Sequence, residues 1–377
     1  MKLLNKELLK KYIGVMAEYD LENNKIFGSA YLVYQRDNLV YQKCYGTVDL
    51  NSKEEVTDTT MFRLASMTKP ISTVAALILV DRGIISLDDP IDKFLPEFKD
   101  ILIVDEKGNK IKPTKIPTIK NLLNHTSGIG CNPSKETTLT QEEFKDLDGA
   151  KSFYLRVGLD FEPESMQHYS PTGAFDILAK IIEIVSGMDY LSFLEKEIFI
   201  PCQMKDTTFK PTKEQKNRII KMHNKENDQN AVFDMYDGCI FECYPYDHFL
   251  GGAGLASTLK DYANFAQMLL NKGEFNGKRL LSESTFNQMC VPQVSYDLMP
   301  QTERWGLGVR VITDESYPNL PVGSFGWSGA YGSHFWIDPV NQIYAVYMKN
   351  SKFDGGAANE SARYFERAVY LSVGDAE

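Results

Sequence analysis

The sequence predicts an α/β (α+β) fold in which an antiparallel sheet is flanked by helices and carries an inserted helical lobe. Strand-like runs occur near both ends of the chain, whereas helical patterns dominate the middle. Tight turns separate the strands near the C-terminus, which is typical of antiparallel pairing. We therefore expect one domain over 1–377, with a sheet lobe at about 1–80 and 255–377 and a helical lobe at about 81–254.

Hydrophobic periodicity and turn residues place the individual elements. Two strands, over 29–35 and 39–45, are separated by Arg36-Asp37-Asn38 and predict a hairpin. The segment 205–250 is polar and poorly periodic. The other predicted helices span 117–123, 141–156, 172–186, 189–197, 259–271 and 359–371, and the other strands span 306–312, 332–337 and 342–349.

Composition and charge restrict the class of protein. The 377 residues are 43% hydrophobic and 24% charged, which is ordinary for a soluble globular protein. The formal net charge of -10 disfavours nucleic acid or an anionic membrane as a partner. The first residues are interrupted by charges, unlike a signal peptide, and no apolar run has membrane-spanning length. We therefore expect a cytoplasmic protein, with an oligomeric state that the sequence does not indicate.

The cysteines do not indicate a metal site. The six of them are scattered, which favours reduced thiols. Only Cys239 and Cys243 are close in sequence, and no second pair or nearby histidine completes a ligand set. Neither an HExxH motif nor a glycine-rich phosphate loop is present. We expect no metal and no cofactor.

The tetrapeptide Ser66-Met67-Thr68-Lys69 gives the strongest indication of chemistry. Residues three apart on a helix share a face, so the serine hydroxyl can interact with the lysine amine. A serine becomes a nucleophile when a base takes its proton, and a desolvated lysine can be that base. Pro70 places the start of the helix near Ser66, after an extended approach over 60–65. The apolar run 71–80 predicts a buried helix and therefore a desolvated Lys69.

Two other serines lie in patterns that resemble catalytic ones. Ser257 begins a second Ser-x-x-Lys, but Thr258 and Asp261 have capping-box-like spacing, so we interpret Ser257 and Thr258 as helix-capping residues. Ser328 lies in a run that nearly fits the nucleophile elbow of Ser-His-Asp hydrolases, with Ala330 in place of the last glycine. No strong helix follows this run, as an elbow requires, so we disfavour that chemistry.

An acyl-transfer site also needs a proton donor and an oxyanion hole. Tyr169 lies at a loop–helix junction, from which it can reach a lysine or a leaving group, although a packed aromatic is the alternative. The glycine-rich run 325–332 can bring a backbone N–H close to a ligand. We interpret His125 as a structural turn residue and His168 as a candidate cleft residue. His223 and His248 are expected on the surface or in loops.

Three blocks in order carry a resemblance to a known family: Ser66 to Lys69, Tyr169-Ser170-Pro171 and Trp327-Ser328-Gly329. Further matching runs are Phe62-Arg63-Leu64-Ala65, Leu87-Asp88-Asp89-Pro90, Asn124-His125-Thr126-Ser127-Gly128 and Trp336-Ile337-Asp338-Pro339. Over about 25–350 the chain resembles the serine β-lactamase-related family, which includes class C β-lactamases, D-alanyl-D-alanine carboxypeptidases and family VIII carboxylesterases.

The resemblance implies a β-lactamase/transpeptidase-like fold and a role for each matching residue. Ser66 is the implied nucleophile, Lys69 the base and Tyr169 the proton shuttle. The backbone N–H groups of Ser66 and Ala330 are the implied oxyanion hole. The matching motifs make Pro171, Trp327, Ser328 and Gly329 the expected substrate-binding residues. His168 is a further candidate because it precedes Tyr169.

Two departures from the family pattern indicate the substrate. Pro171 stands where the family's Tyr-x-Asn motif has asparagine, and Trp327 stands where its third motif begins with lysine or histidine. β-Lactamases and carboxypeptidases use these groups to hold a substrate amide and carboxylate, whereas family VIII esterases often carry tryptophan. We expect a carboxylesterase on small esters. The alternatives are a class C-like β-lactamase or D-amino-acid peptidase on a β-lactam-like substrate, and an acylation sensor or scaffold without turnover.

Overall fold

The computed structural model describes residues 2–105, 107–227, 229–233, 248–299, 301–356 and 359–374. A seven-stranded antiparallel sheet lies at the centre of the fold. In chain order its strands are β1 (Gly28–Gln35), β2 (Asn38–Gly46), β3 (Glu303–Trp305), β4 (Arg310–Ile312), β5 (Phe325–Ser328), β6 (His334–Asp338) and β7 (Ile343–Met348). The spatial order is β3-β4-β5-β6-β7-β1-β2, with β7 pairing with β1. This order confirms the prediction of one sheet whose halves are distant in sequence.

Helices surround this sheet and fill the middle of the chain. In the described residues they are α1 (Lys6–Glu22), α2 (Thr68–Asp81), α3 (Ile119–Leu123), α4 (Pro133–Glu136), α5 (Leu147–Val157), α6 (Gly173–Ser186), α7 (Tyr190–Leu194), α8 (Lys213–Arg218), α9 (Leu259–Leu270), α10 (Glu283–Met289) and α11 (Glu360–Leu371). None of the helices in this part of the chain has the length and apolarity needed to cross a membrane.

Short elements connect these helices and strands. Single turns of tighter or wider helix span Ala65–Met67, Ile91–Lys93, Pro96–Asp100 and Glu195–Phe199. Two-stranded pairs outside the main sheet are Leu3–Leu4 with Val373–Gly374, Met61–Arg63 with Ala256–Thr258, Ile103–Val104 with Lys110–Ile111, Met222–Glu226 with Gln229–Phe233, and Glu274–Phe275 with Lys278–Arg279.

Both faces of the sheet are buried because apolar side chains point to both sides of its central strands. Tyr31 of β1 belongs to a core with Ile13 of α1 and Phe365 of α11. The next residue, Leu32, belongs to a second core that includes α9 and α2. The α1 and α11 side and the α9 and α2 side are therefore opposite faces of one sheet. Ser66 lies just before the start of α2, on the second face.

Some predicted elements are shorter in the structure. The helix predicted over 141–156 begins only at Leu147, because the Asp146 carboxylate accepts the Gly149 N–H at 2.8 Å and caps it. The strand predicted over 306–312 is limited to β4. Its first part turns at Gly308, where φ is +63° and a Cβ atom would lie 1.9 Å from Thr73 Oγ1 of α2. Close packing on the helix therefore replaces strand pairing there.

The thiols provide a test of the expected redox state. Cys44, Cys131, Cys202 and Cys290 form no disulfide, whereas Cys239 and Cys243 lie outside the described residues. Burial raises the pKa of Cys44 to about 11 and that of Cys202 to about 12. Thiol counting under denaturing, non-reducing conditions should find all six thiols free. In the native protein Cys202 should react slowly, because little thiolate forms. Two cysteines that do not react with the thiol reagent after denaturation would contradict the expectation that all six are reduced.

Candidate active site

Ser66 lies in a short turn between a strand and the start of α2. The strand Met61–Arg63 leads into the turn Ala65–Met67, and Ala65 adopts a left-handed φ of +45°. The Asn350 side chain holds the approach, since its Oδ1 accepts the Arg63 N–H at 2.9 Å and its Nδ2 donates to the Arg63 carbonyl at 3.0 Å. The approach predicted over 60–65 is extended in Met61–Arg63 but not in Leu64, which is helical, or in Ala65. The helix begins at Thr68, close to Ser66 as predicted, and the Asn350 hydrogen bonds fix the backbone that leads to the serine.

Lys69 is fully buried one turn along from Ser66. Its Nζ lies 3.3 Å from Ser66 Oγ, 2.5 Å from the carbonyl oxygen of Pro171 and 3.0 Å from that of Gly252. A neutral amine has two N–H groups and one lone pair. Three oxygen atoms thus surround Nζ. If a neutral amine donates its two N–H groups to the carbonyls, its lone pair can face the Ser66 hydroxyl.

Tyr169 approaches the same hydroxyl from the other side. Its phenol O–H donates to Ser66 Oγ at 2.7 Å, and Lys69 Nζ lies 4.8 Å from the centre of its ring. The indole Nε1–H of Trp327 donates to the Tyr169 oxygen at 3.4 Å. The structure therefore brings Tyr169, which follows Ser66 by 103 positions, to the pair Ser66 and Lys69, with Ser66 Oγ between an amine and a phenol.

An aromatic wall lies beside this group, and one member of it was not predicted. The Trp305 ring at the end of β3 is 4.4 Å from the Trp327 ring and stacks on Tyr169 at 5.7 Å. Trp305 is buried and Trp327 is half-buried. A strand of three residues has no measurable periodicity, so only the aromatic character of Trp305 could have indicated its role. Tyr169, Trp305 and Trp327 together make this side of the site largely apolar.

A tight turn after β5 lies against the segment that leads into the Ser66 turn, Ala65–Met67. The Gly329 N–H donates to the Ser333 carbonyl at 2.8 Å, and the Ser333 hydroxyl donates to the Leu64 carbonyl at 3.3 Å. A Cβ atom on Gly329 would lie 2.3 Å from the Leu64 oxygen, so only glycine allows this approach. The exposed Ala330 follows directly, and its backbone is thereby held near the turn that contains Ser66.

Ser328 requires a correction, because its side chain points away from Ser66. Side chains alternate along β5, so Ser328 and its cross-strand partner His334 face α11, whereas Trp327 faces the opposite side. Ser328 Oγ lies 2.7 Å from His334 Nδ1, and His334 Nε2 lies 3.0 Å from Glu366 Oε1. This placement does not fit a substrate-binding role for the Ser328 side chain.

The Ser328–His334–Glu366 arrangement also resembles a catalytic triad, but the serine is only 4% exposed. A nucleophile must reach its substrate, so this arrangement is better explained as a buried polar network. Burial opposes ionisation of Glu366, but the neighbouring Arg310 charge and the His334 hydrogen bond lower the pKa of this carboxyl to about 2. The disfavoured nucleophile-elbow chemistry therefore has no support in the geometry.

The second Ser-x-x-Lys is explained by packing. Thr258 begins α9, and its hydroxyl accepts the Asp261 N–H at 3.2 Å, which confirms the predicted cap. Ser257 does not take part in the cap. It is buried in the preceding strand, where its hydroxyl lies 2.7 Å from Thr207 Oγ1. The lysine of this motif, Lys260, is exposed.

His223 and His248 are both buried, although only His223 departs from its expected surface or loop position. His223 lies in the strand Met222–Glu226 and is fully buried, with Nε2 3.1 Å from Asn230 Oδ1. His248 lies in a loop but is also buried, with Nε2 3.1 Å from Asp176 Oδ2. The expected surface or loop position was therefore wrong for His223, which lies in a strand, and right for His248, whose loop is nevertheless buried. His168, next to Tyr169, is exposed.

The sheet, its helical layers and the inserted helices define a β-lactamase/transpeptidase-like fold. The structure is similar to that of EstCE1, a hydrolase with promiscuous acyltransferase activity, with a TM-score of 0.82 and 22% identity. The alignment covers 97% of this chain and 99% of that one. The beta-lactamase family model matches residues 14–368, and the chain belongs to this family. It is therefore a serine hydrolase of the β-lactamase superfamily.

Relatives of this chain carry different activities in their names. Esterase EstB from Burkholderia gladioli is 24% identical over 377 residues, with 89% of this chain and 88% of EstB covered. A putative D-alanyl-D-alanine carboxypeptidase from Salmonella typhimurium is 28% identical over 353 residues, with 85% of this chain and 77% of that protein covered. The family membership thus leaves the choice between ester and amide substrates to the residues of the site.

Proposed function

We propose that the protein is a carboxylesterase that acts on small esters through an acyl-enzyme on Ser66. The observation that carries this proposal is the position of Ser66 Oγ, 3.3 Å from Lys69 Nζ and 2.7 Å from the Tyr169 hydroxyl. An amine and a phenol on either side of one hydroxyl can remove its proton and return a proton to a leaving group.

In the proposed reaction, the Lys69 lone pair takes the Ser66 proton while Oγ attacks the ester carbonyl. The backbone N–H groups of Ser66 and Ala330 stabilise the oxyanion that forms. As the tetrahedral intermediate collapses, its C–O bond to the alcohol breaks, and Tyr169 delivers a proton to the departing oxygen. Water then attacks the acyl-enzyme, and the proton transfers run in reverse to release the acid and restore the Ser66 hydroxyl.

The surroundings of this cluster support an ester over a β-lactam or a D-alanyl peptide. Pro171 offers no side-chain amide, and its carbonyl is occupied by Lys69. Trp327 offers an uncharged indole N–H, which is directed at Tyr169. These two positions therefore give a substrate carboxylate or amide neither a cation nor a side-chain amide, whereas the aromatic wall suits an apolar acyl or alcohol group.

We expect nitrophenyl butyrate to be turned over with a kcat/KM roughly two to three orders of magnitude above that of nitrocefin. A substrate carboxylate without a cationic partner loses a charge-assisted hydrogen bond worth about 1.5–3 kcal/mol. The missing amide at position 171 costs about 1 kcal/mol more. Both constants should be measured on one preparation, with Ser66→Ala as the background control.

The outcome of this comparison separates the alternatives. Nitrocefin hydrolysis equal to or faster than ester hydrolysis would overturn the esterase proposal and favour a β-lactamase or D-amino-acid peptidase. A burst of nitrophenol equal to the amount of enzyme, without later turnover, would instead favour an acylation sensor or scaffold.

A further inference from the structure

The segment that carries Tyr169 is held on both sides by a single residue, His125. The His125 carbonyl accepts the His168 N–H at 3.1 Å, and His125 Nδ1 accepts the Ser170 N–H at 3.1 Å. The imidazole ring also packs against the Tyr169 ring, with 4.6 Å between the ring centres. The residues before and after Tyr169 are thus each held through their backbone N–H, one by the His125 carbonyl and the other by the His125 side chain.

The hydrogen bond from Ser170 defines the protonation state of the His125 imidazole. Nδ1 can accept an N–H only when it carries no proton, so the ring is neutral with its hydrogen on Nε2. His125 is fully buried, and Nε2 has no hydrogen-bond partner in the described part of the chain. The ring lies edge-to-face with Trp305 at 4.3 Å. Burial, with smaller contributions from Lys69 and His168, lowers the pKa of His125 well below its usual range, which keeps Nδ1 available as an acceptor.

We propose that His125 is a positioning residue for Tyr169, and that its Nδ1 atom sets the phenol within proton-transfer distance of Ser66. The proposal rests on the proposed function of Ser66 and Tyr169. Without the Nδ1 acceptor, the Ser170 N–H is left unpaired in a buried place, and the backbone at Tyr169 must shift to satisfy it. A small displacement of a catalytic group lowers the rate of the step far more than it lowers substrate binding.

The test compares two amides that differ in the position of their oxygen. In His125→Asn, Oδ1 is attached to Cγ as Nδ1 is in histidine, so it can accept the Ser170 N–H. Asparagine also tolerates the left-handed φ of +61° at this position. In His125→Gln the amide oxygen is one bond further from the backbone and does not replace Nδ1. We expect His125→Gln to lower kcat for nitrophenyl butyrate about tenfold or more, with KM changed less than about twofold, and His125→Asn to retain most of kcat.

A double-mutant cycle with Tyr169→Phe separates positioning from general damage. If His125 acts through the Tyr169 hydroxyl, His125→Gln should change kcat less than about twofold in the Tyr169→Phe background. Equal losses in both backgrounds, or equal losses in His125→Asn and His125→Gln, would overturn the proposal. His223→Asn is the matched control, since His223 is also buried with a hydrogen-bonded ring, and its kcat should be unchanged.

A second readout keeps this test independent of the ester substrate. The rate at which a fluorophosphonate modifies Ser66, followed by intact mass, should fall in His125→Gln and not in His125→Asn. If the wild type turns over no ester, the proposed function fails while these rates still decide the role of His125. If His125→Gln does not fold, the modification rate of His125→Asn still decides. A folded His125→Asn whose Ser66 is no longer modified by the fluorophosphonate would contradict the proposal.

Discussion

Ser66→Ala is expected to abolish ester turnover, with a loss in kcat of at least about 10⁴-fold, the scale seen when a serine nucleophile is removed. The reason is that no other hydroxyl in the described residues is shown between an amine and a phenol, as Ser66 Oγ is. Intact-mass analysis after treatment with a fluorophosphonate should show one adduct on the wild type and none on the variant.

Ser257→Ala is the matched control for this result, because Ser257 begins the other Ser-x-x-Lys and is buried beside Thr207. This variant should keep both the adduct and the activity. An adduct that persists in Ser66→Ala, or that maps to Ser328, would refute the assignment of the nucleophile.

Lys69→Met is expected to lower the rate of Ser66 acylation by about two orders of magnitude or more, the scale of a general-base contribution. Methionine fills a similar volume against the Tyr169 and Phe175 rings, so the loss should report the missing lone pair more than lost packing. The measurement is the pre-steady-state release of nitrophenol, together with the rate of modification by fluorophosphonate.

Lys260, the lysine of the second Ser-x-x-Lys motif, provides the control for Lys69→Met. Lys260→Met removes an amine at the same spacing from a serine, yet Lys260 is solvent-exposed and should be dispensable. Near-normal acylation in Lys69→Met would exclude the lysine-base mechanism, whatever the substrate.

The sequence predicts the parts of the site that depend on local spacing. Ser66 and Lys69 are one helical turn apart, so their contact follows from helix geometry once the helix start is known. Tyr169 is 103 positions from Ser66. Its loop–helix junction made it a candidate, but the order of the matching motifs was needed to connect it with Ser66. Trp305 was missed because its strand has three residues and its partners lie in other parts of the chain.

The fold was predicted well where hydrophobic periodicity is strong. It was predicted poorly where contacts between distant parts of the chain determine the local structure. The hairpin of β1 and β2 and the helix α9 follow closely from their patterns. The side of the sheet on which Ser328 lies could not be predicted, because glycines interrupt the run 325–332 and leave no alternation that defines the inward face. In the segment 205–250, which shows little periodicity, the structure has α8 and a short strand pair, while 234–247 lies outside the described residues.

The two carbonyl groups that hold Lys69 affect which mutations this site can accept during evolution. Because both acceptors belong to the main chain, no side chain at 171 or 252 has to be preserved to keep the amine in place. A mutation at 171 can alter the side chain offered to the substrate and still leave a carbonyl oxygen for Lys69. Gly252 is more constrained, since a Cβ atom there would lie 2.8 Å from the Pro171 oxygen. Under the proposed function, substitutions at 171 can therefore change substrate preference while the main-chain contact with Lys69 is kept.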